Sequence, residues 1–182
     1  IDSYAFRYCN DLEEIYIPSS VTSIGNSVFI NCTSLSNIEV ASGNLNYKYD
    51  EASGMLFTTD GTDILFIADA VLRGTNTLTI PEGITSFNIE VNSYANITKI
   101  IIPSSLERIS DAGLFPSSIN NVEVAESNNF FTVENECLYN KDKTILRMCF
   151  TKGADVELAE TVTTIYDYAF KQAVNIVNVD LP

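Results

Sequence analysis

The strongest constraint on the fold is a fifteen-residue segment, called here the opening phrase, that occurs in two similar copies in the chain. YAFRYCNDLEEIYIP runs from Tyr4 to Pro18 and YAFKQAVNIVNVDLP runs from Tyr168 to Pro182, with the same length and the same apolar positions. A nearer copy of the first phrase starts 23 residues on, where six apolar or cysteine positions recur: Ile1, Phe6, Cys9, Leu12, Ile15 and Ile17, then Ile24, Phe29, Cys32, Leu35, Ile38 and Val40. Recurrence at a short fixed period is typical of a chain built from stacked, similar units.

Weaker copies of the phrase fill the middle of the chain. Two of them have lost one residue and run through Phe87, Ile97, Ile100 and Ile102, and through Ile109, Leu114, Ile119, Val122 and Val124. The last copy is full length and runs through Ile165, Phe170, Ala173, Ile176, Val179 and Leu181. A linking phrase follows the strands: IPSSVTSI at 17–24, IPEGITSF at 80–87, IPSSLERI at 102–109 and LAETVTTI at 158–165. Proline cannot donate to a strand ladder, so these phrases indicate where a strand ends and the chain turns.

Two longer stretches interrupt the short period, at about 44–67 and about 128–150. Each contains an apolar run, a polar turn and a second apolar run, as in MLFTTDGTDIL and CLYNKDKTIL. Asp60-Gly61 has the composition of a tight turn, so both stretches predict inserted β-hairpins. Short repeats plus one hairpin form a block of 82 residues, and the two copies of the opening phrase lie two blocks, or 164 residues, apart.

Each repeat contains a short alternation of apolar and polar residues. The apolar members are Ile15/Ile17, Ile38/Val40, Leu78/Ile80, Ile100/Ile102, Val122/Val124, Val156/Leu158 and Val179/Leu181. Such alternation, rich in β-branched side chains, predicts a strand with one face inward. We therefore expect a mostly β, single-domain solenoid over 1–182, in which these seven strands pair in parallel over one continuous apolar column and helix is scarce.

The residues of the repeats also match a known family. The pattern AFxxCxxLxxIxIPxxVTxIGxxxF, read from Ala5 to Phe29, resembles the BspA-like leucine-rich repeats of bacterial and some protozoan surface proteins, and the two hairpins resemble that family as well. The resemblance covers essentially the whole chain. It implies a curved, right-handed leucine-rich-repeat solenoid, display on a bacterial cell surface, and adhesion or host-protein binding. Because the chain starts in the middle of a repeat, we expect it to be a fragment of a longer array.

Composition excludes several functions. The formal net charge is −14, which disfavours nucleic acid and anionic membrane surfaces as partners. No apolar run is long enough to span a bilayer. The chain has no histidine and neither a GxxxxGK nor a GxGxxG loop, so the common nucleophilic triads, histidine metal sites and phosphate loops are not expected. We expect no catalytic residue, no cofactor and no metal site.

The four cysteines predict thiols rather than bridges. Cys9 and Cys32 hold the same inward position one repeat apart, within reach of each other, but Ala173 in the equivalent place indicates a slot for a small apolar group. Centring the second hairpin on Lys141-Asp142 pairs Leu138 with Ile145 and leaves Cys149 beyond the partner of Cys137. No CxxC pair is present, so a zinc site is not expected. A weak calcium site at Asp60–Asp63 is the alternative to a plain hairpin turn, and the turn is favoured because the loop lacks the length and acid count of an EF-hand.

The outward side chains of the seven strands are the candidate binding surface, called here the concave face. Its members are Glu14, Tyr16, Asn37, Glu39, Thr77, Thr79, Lys99, Ile101, Asn121, Glu123, Asp155, Glu157, Asn178 and Asp180. Six of them are acidic and one is basic, and the apolar exceptions Tyr16 and Ile101 are the expected anchors. The hairpin tips, near Asp60 and Lys141-Asp142, are the rival binding surface, because we expect them to project from the coil.

The resemblance therefore implies a non-catalytic, extracellular or cell-surface repeat module for protein–protein interaction or adhesion, with a host or neighbouring-cell protein as the partner. One alternative is a structural spacer that displays another domain. A carbohydrate-active enzyme built on a β-solenoid is a third hypothesis, since a pair among the 24 acidic residues could serve a glycosidase.

Overall fold

The structure is a computed structural model and describes residues 1–68, 72–89, 91, 96–109 and 115–182. Leu114, which the repeat alignment places at an inward position, lies outside the described residues. The described residues contain almost no helix and form sixteen short strands: β1 (Glu14–Ile17), β2 (Asn37–Val40), β3 (Tyr47–Asp50), β4 (Met55–Thr58), β5 (Asp63–Ile67), β6 (Thr77–Thr79), β7 (Ser86–Phe87), β8 (Lys99–Ile102), β9 (Arg108–Ile109), β10 (Asn121–Val124), β11 (Phe131–Glu134), β12 (Cys137–Asn140), β13 (Ile145–Cys149), β14 (Asp155–Glu157), β15 (Thr164–Ile165) and β16 (Asn178–Asp180).

The seven alternating segments are parallel strands in the expected register. Ile15 lies opposite Ile38, Leu78 and Val122 flank Ile100, and Val156 lies opposite Val179. Inward residues such as Ile38, Ile100 and Val122 are buried, whereas Ile15, in the first coil, is half-buried because no coil of this chain packs on its other side. The mostly β solenoid is therefore confirmed.

The parallel strands do not form one continuous sheet, and this expectation was wrong. In the part of the chain that the structure describes, they form separate sheets of β1–β2, β6–β8–β10 and β14–β16. The breaks fall after β2 and after β10, where the two long insertions leave the repeat. The insertions therefore divide the ladder.

Each insertion is a three-stranded antiparallel meander rather than a two-stranded hairpin. β3, β4 and β5 form the first meander, and β11, β12 and β13 form the second. The paired arms predicted from the sequence are present as β4–β5 and β12–β13, with an additional strand before each. The last strand of each meander then pairs in parallel with the next coils, β5 with β7 and onward to β9, and β13 with β15.

The middle strand of each meander is buried on both faces. In β4, Leu56 packs into a core formed by the first coils, while Met55 and Phe57 pack into the next core along the chain. In β12, Leu138 packs into that same central core, while Cys137 and Tyr139 pack into a third core with Leu146, Cys149, Val156, Leu158, Ala169 and Ala173. We call the three the N-terminal, central and C-terminal cores. A continuous apolar strand without alternation, such as MLF or CLY, is the pattern of a strand covered on both sides.

A buried asparagine fixes the start of each meander. The Asn128 side-chain amide donates to the carbonyls of Pro103 (2.7 Å) and Leu106 (3.0 Å), and its oxygen accepts from the amides of Phe130 and Phe131, both at 2.8 Å. Asn44 makes the same four bonds, to the carbonyls of Pro18 and Val21 and from the amides of residues 46 and 47. Each asparagine therefore ties a meander to the linking phrase of the preceding coil.

Candidate functional site: the concave face

The structure places the candidate residues on the outward side of the parallel strands. Glu14 lies opposite Asn37 and Tyr16 opposite Glu39 on the first sheet, and all four are exposed. Tyr16 is 57% exposed, although an aromatic side chain gains most from burial. It therefore remains the best anchor candidate on this face.

The central sheet holds the basic residue of the face. The Lys99 ammonium lies 2.7 Å from a carboxylate oxygen of Glu123, so its charge is offset within the sheet. Ile101 lies between Thr79 and Glu123 and is half-buried by these neighbours. Ile101 is thus a weaker anchor than Tyr16, because much of its apolar surface is already covered.

The third sheet is polar and acidic. The Asn178 amide donates to Asp155 at 2.7 Å, and Glu157 lies opposite Asp180. Asn121, on the edge of the central sheet, is exposed like these four residues. Like charges directly opposite in a sheet destabilise it, so the facing of Glu157 and Asp180 costs this sheet some stability.

Two notches separate the three sheets of the face. Tyr47, Lys48, Tyr49 and Glu51 line the first, beside the edge of β2. Phe131, Thr132, Val133 and Lys141 line the second, beside the edge of β10. Burial, followed by the nearby carboxylates of Glu51 and Asp50, raises the pKa of Tyr49, so its phenol stays neutral in this acidic setting.

The meander tips do not project as free loops, which corrects the expectation that they would. The carbonyl of Thr62 accepts from the amides of Thr85 and Ser86, at 2.9 and 3.2 Å, and the carbonyl of Thr144 accepts from the amide of Thr163 at 2.8 Å. Because each tip is bonded to the following coil, it belongs to the wall of the solenoid. The rival binding surface is therefore reduced to the outer edge of each turn.

The turn at Asp60 satisfies its own carboxylate. Asp60 accepts from the Thr58 hydroxyl at 2.6 Å and from the amide and hydroxyl of Thr62 at 3.0 and 2.9 Å, and these bonds lower its pKa. This is the plain turn that the sequence favours. Among the described residues, no group of three or more metal-ligating side chains is assembled.

The cysteines depart from the sequence prediction in two ways. Cys9 is exposed, whereas its counterpart Cys32 is buried and donates to the carbonyl of Phe6 at 3.0 Å. Cys9 lies in the first coil, so no preceding coil of this chain covers the inward position that Cys9 occupies. In the second meander, Tyr139 pairs with Leu146, two residues beyond its place in a turn centred on Lys141-Asp142, and a register shift between Leu138 and Tyr139 absorbs one more residue. Leu138 therefore pairs with Met148, and Cys137 pairs directly with Cys149. The pairing of Leu138 with Ile145 was therefore wrong.

Sequence reasoning missed Asn44 and Asn128, which organise the meanders beside this face. A signal was present, since both asparagines stand at the junction of a repeat and an insertion, 84 positions apart. In the described ranges, no helix has the length and apolar character of a membrane span.

Comparison with known proteins supplies the family. The model of the BspA type leucine rich repeat region matches six copies, over residues 1–52 and 72–182. A leucine-rich repeat protein from Eubacterium ventriosum has a similar solved structure, with 21% identity, a TM-score of 0.53 and coverage of 98% of this chain and 46% of that one. No curated protein matches the sequence significantly.

Two further solved structures are more distant. The pneumococcal vaccine antigen PcpA is 19% identical with a TM-score of 0.46, covering 100% of this chain and 42% of that one. A leucine rich cell surface protein from Faecalibacterium prausnitzii is 19% identical with a TM-score of 0.40, covering 100% of this chain and 64% of that one. The chain spans less than two thirds of the length of each of the three proteins.

Proposed function

Because the chain belongs to the family of BspA type leucine rich repeat regions, we propose that it is a non-catalytic repeat module of the cell surface that binds another protein through its concave face. The partner is a host extracellular protein or a protein of a neighbouring cell. Solenoids of this kind present an extended sheet surface that suits a protein ligand better than a small molecule.

The observation that carries the proposal is the acidic, solvent-facing side of the parallel strands. Glu39 and Glu123 are exposed beside apolar or aromatic neighbours, and Glu157 is exposed beside Asp180. The positive charge of Lys99 is paired with Glu123, so the field of the face remains negative. Such a field increases the association rate of a basic partner and loses strength as salt rises.

Charge reversal tests the proposal. The triple variant Glu39→Lys, Glu123→Lys and Glu157→Lys changes one residue on each sheet of the face. Binding to purified extracellular-matrix proteins, measured by surface plasmon resonance, should weaken by about 10–100-fold, since each rim charge contributes roughly 0.5–1 kcal/mol.

A matched control carries the same change in charge elsewhere. Glu107, Glu136 and Asp167 are exposed, lie near β9, β12 and β15, and are not part of the concave face. Their joint replacement by lysine should leave the affinity within about twofold at physiological salt, because salt largely screens exposed charges that lie outside the contact surface. Equal loss in both triples would show that net charge, rather than this face, governs binding. Unchanged binding in the first triple would exclude the face.

A structural spacer is the second candidate. It is favoured by the polar contacts inside the face, Lys99 with Glu123 and Asn178 with Asp155, which satisfy these side chains without a partner. A spacer predicts that the wild-type protein binds none of the matrix proteins. The enzyme hypothesis is tested separately, by turnover of glycan substrates that is lost on replacing a single carboxylate.

A further inference from the structure

Cys137 and Cys149 occupy directly opposite positions on β12 and β13. The amide of Phe150 donates to the carbonyl of Glu136 at 2.9 Å, whereas the amide of Cys149 donates away from β12, to the carbonyl of Ala169 at 2.6 Å. The two cysteines therefore form a non-hydrogen-bonded pair, the class in which facing residues of antiparallel strands approach most closely. Their side chains point to the same side of the meander.

The spacing of such a pair suits a covalent link. Cα atoms in non-hydrogen-bonded pairs lie about 4.5 Å apart, which falls within the range of roughly 4.4–6.8 Å found across disulfides. Both cysteines are free thiols, and both residues are fully buried in the C-terminal core. The strand register therefore places the two cysteines in the arrangement that a cross-strand disulfide requires.

The first meander shows what the same place holds without cysteine. Met55 lies opposite Ile67 there, and both pack into the central core. Apolar packing alone is thus sufficient at this place in the fold. The second meander instead carries two cysteines, whose thiols can be oxidised to a disulfide.

We propose that Cys137 and Cys149 are a disulfide site, which oxidation closes into a cross-strand bridge that staples β12 to β13. The bridge would hold β12 and β13 together where the second meander separates the central core from the C-terminal core. The inference rests on the strand register and does not depend on the ligand of the concave face.

The chemistry is thiol–disulfide exchange with a small disulfide such as oxidised glutathione. One of the two cysteine thiols loses its proton and its sulfur attacks one sulfur of oxidised glutathione, and one glutathione thiolate leaves and takes up a proton. The other cysteine thiol then loses its proton and its sulfur attacks the protein sulfur of that mixed disulfide, which expels the second glutathione as a thiolate that takes up a proton. Two protein thiols are oxidised and one glutathione disulfide is reduced to two thiols.

In the folded chain, the interaction with Cys149 raises the pKa of the Cys137 thiol, with burial acting in the same direction, and the interaction with Cys137 lowers the pKa of Cys149. Because both sulfur atoms are buried, the oxidant reaches them while the chain folds. The bond is then shielded from reductants, as in structural bridges of secreted proteins.

The test uses the whole chain, reduced, unfolded in urea and refolded in a glutathione redox buffer. Trypsin cleaves at Lys141, Lys143 and Arg147, between the two cysteines, so the bridge would join peptide 109–141 to peptide 148–152. We expect this linked pair by mass spectrometry, with a loss of about 2 Da that is reversed by reductant. Closure of the loop should raise Tm by about 5–10 °C in wild type and in Cys9→Ser, and not in Cys137→Ala/Cys149→Ala.

Because Cys9 is exposed, attachment of glutathione to its thiol shows that the oxidant has acted. Glutathione attached at Cys9, with Cys137 and Cys149 still open to alkylation after refolding, would overturn the proposal. In a second experiment, the protein is kept unfolded in urea at the same redox potential. This control is needed because cysteines so close in sequence also meet in a disordered chain. The effective concentration of the two thiols should be at least about tenfold higher in the folded protein. Equal values would show that proximity in sequence, rather than the strand register, makes the bond.

Discussion

Replacing Asn128 with alanine is expected to lower the free energy of unfolding by about 3–5 kcal/mol. The side chain is fully buried and makes four hydrogen bonds, and its removal leaves the carbonyls of Pro103 and Leu106 and the amides of Phe130 and Phe131 without this partner. Each stranded buried polar group costs about 1–3 kcal/mol, less whatever water can recover. Urea unfolding followed by circular dichroism measures the loss.

The control for Asn128 is its neighbour. Asn129 is exposed, so Asn129→Ala should change stability by less than about 0.5 kcal/mol. Asn128→Asp keeps the two acceptor bonds and removes the two donors, so it should also be strongly destabilising near neutral pH. A loss below about 1 kcal/mol in Asn128→Ala would show that the asparagine does not hold the second meander to the preceding coil.

Replacing Leu56 with alanine is expected to cost about 3 kcal/mol, because truncation of a fully buried leucine loses its transfer energy and leaves a cavity. Leu56 is 0% exposed and packs into the N-terminal core from the middle strand of the first meander. If the insertion were a hairpin that projects from the coil, the same change would be nearly neutral. Chemical unfolding of the purified variant distinguishes the two cases.

The matched control for Leu56 lies in the same insertion. Leu45 is 84% exposed, so Leu45→Ala makes the identical chemical change without opening a cavity. Its effect should be below about 0.5 kcal/mol. Similar losses at both positions would argue against a meander that is built into the interior.

The ladder could be predicted from the sequence because its information is local and repeated. Ile15, Ile38 and Ile100 recur in equivalent places, and a period-two pattern determines which face of a strand is inward. The same reasoning located the outward residues of the concave face, including Tyr16 and Glu39. Their role in binding remains a proposal, since the pattern specifies exposure and not the ligand.

The way in which the insertions pack between the coils could not be predicted in the same way. A run such as Met55-Leu56-Phe57 is compatible with a two-sided strand or with an ordinary hairpin arm, and only the neighbouring coils decide between them. The pairing of Cys137 with Cys149 was missed for a different reason. The turn displaces the pairing by two residues relative to a turn centred on Lys141-Asp142, and a register shift between Leu138 and Tyr139 displaces it by one more.

The asparagines were missed because their partners are backbone atoms. Asn44 bonds to the carbonyls of Pro18 and Val21, which a side-chain pattern does not reveal. Asparagine is also common in turns, so its presence before a strand is ordinary. Its recurrence at the start of both insertions is the feature that could have indicated a structural role.

The central claim is that the two meanders are internal walls that divide the stack into three cores. Native-state hydrogen exchange of the backbone amides tests it most directly, since exchange reports local opening. The amides of β4 and β12 should be protected as strongly as those of β8, in the middle of the parallel ladder. Exchange in β4 and β12 as fast as in the exposed turn at Ser42 and Gly43 would contradict the account.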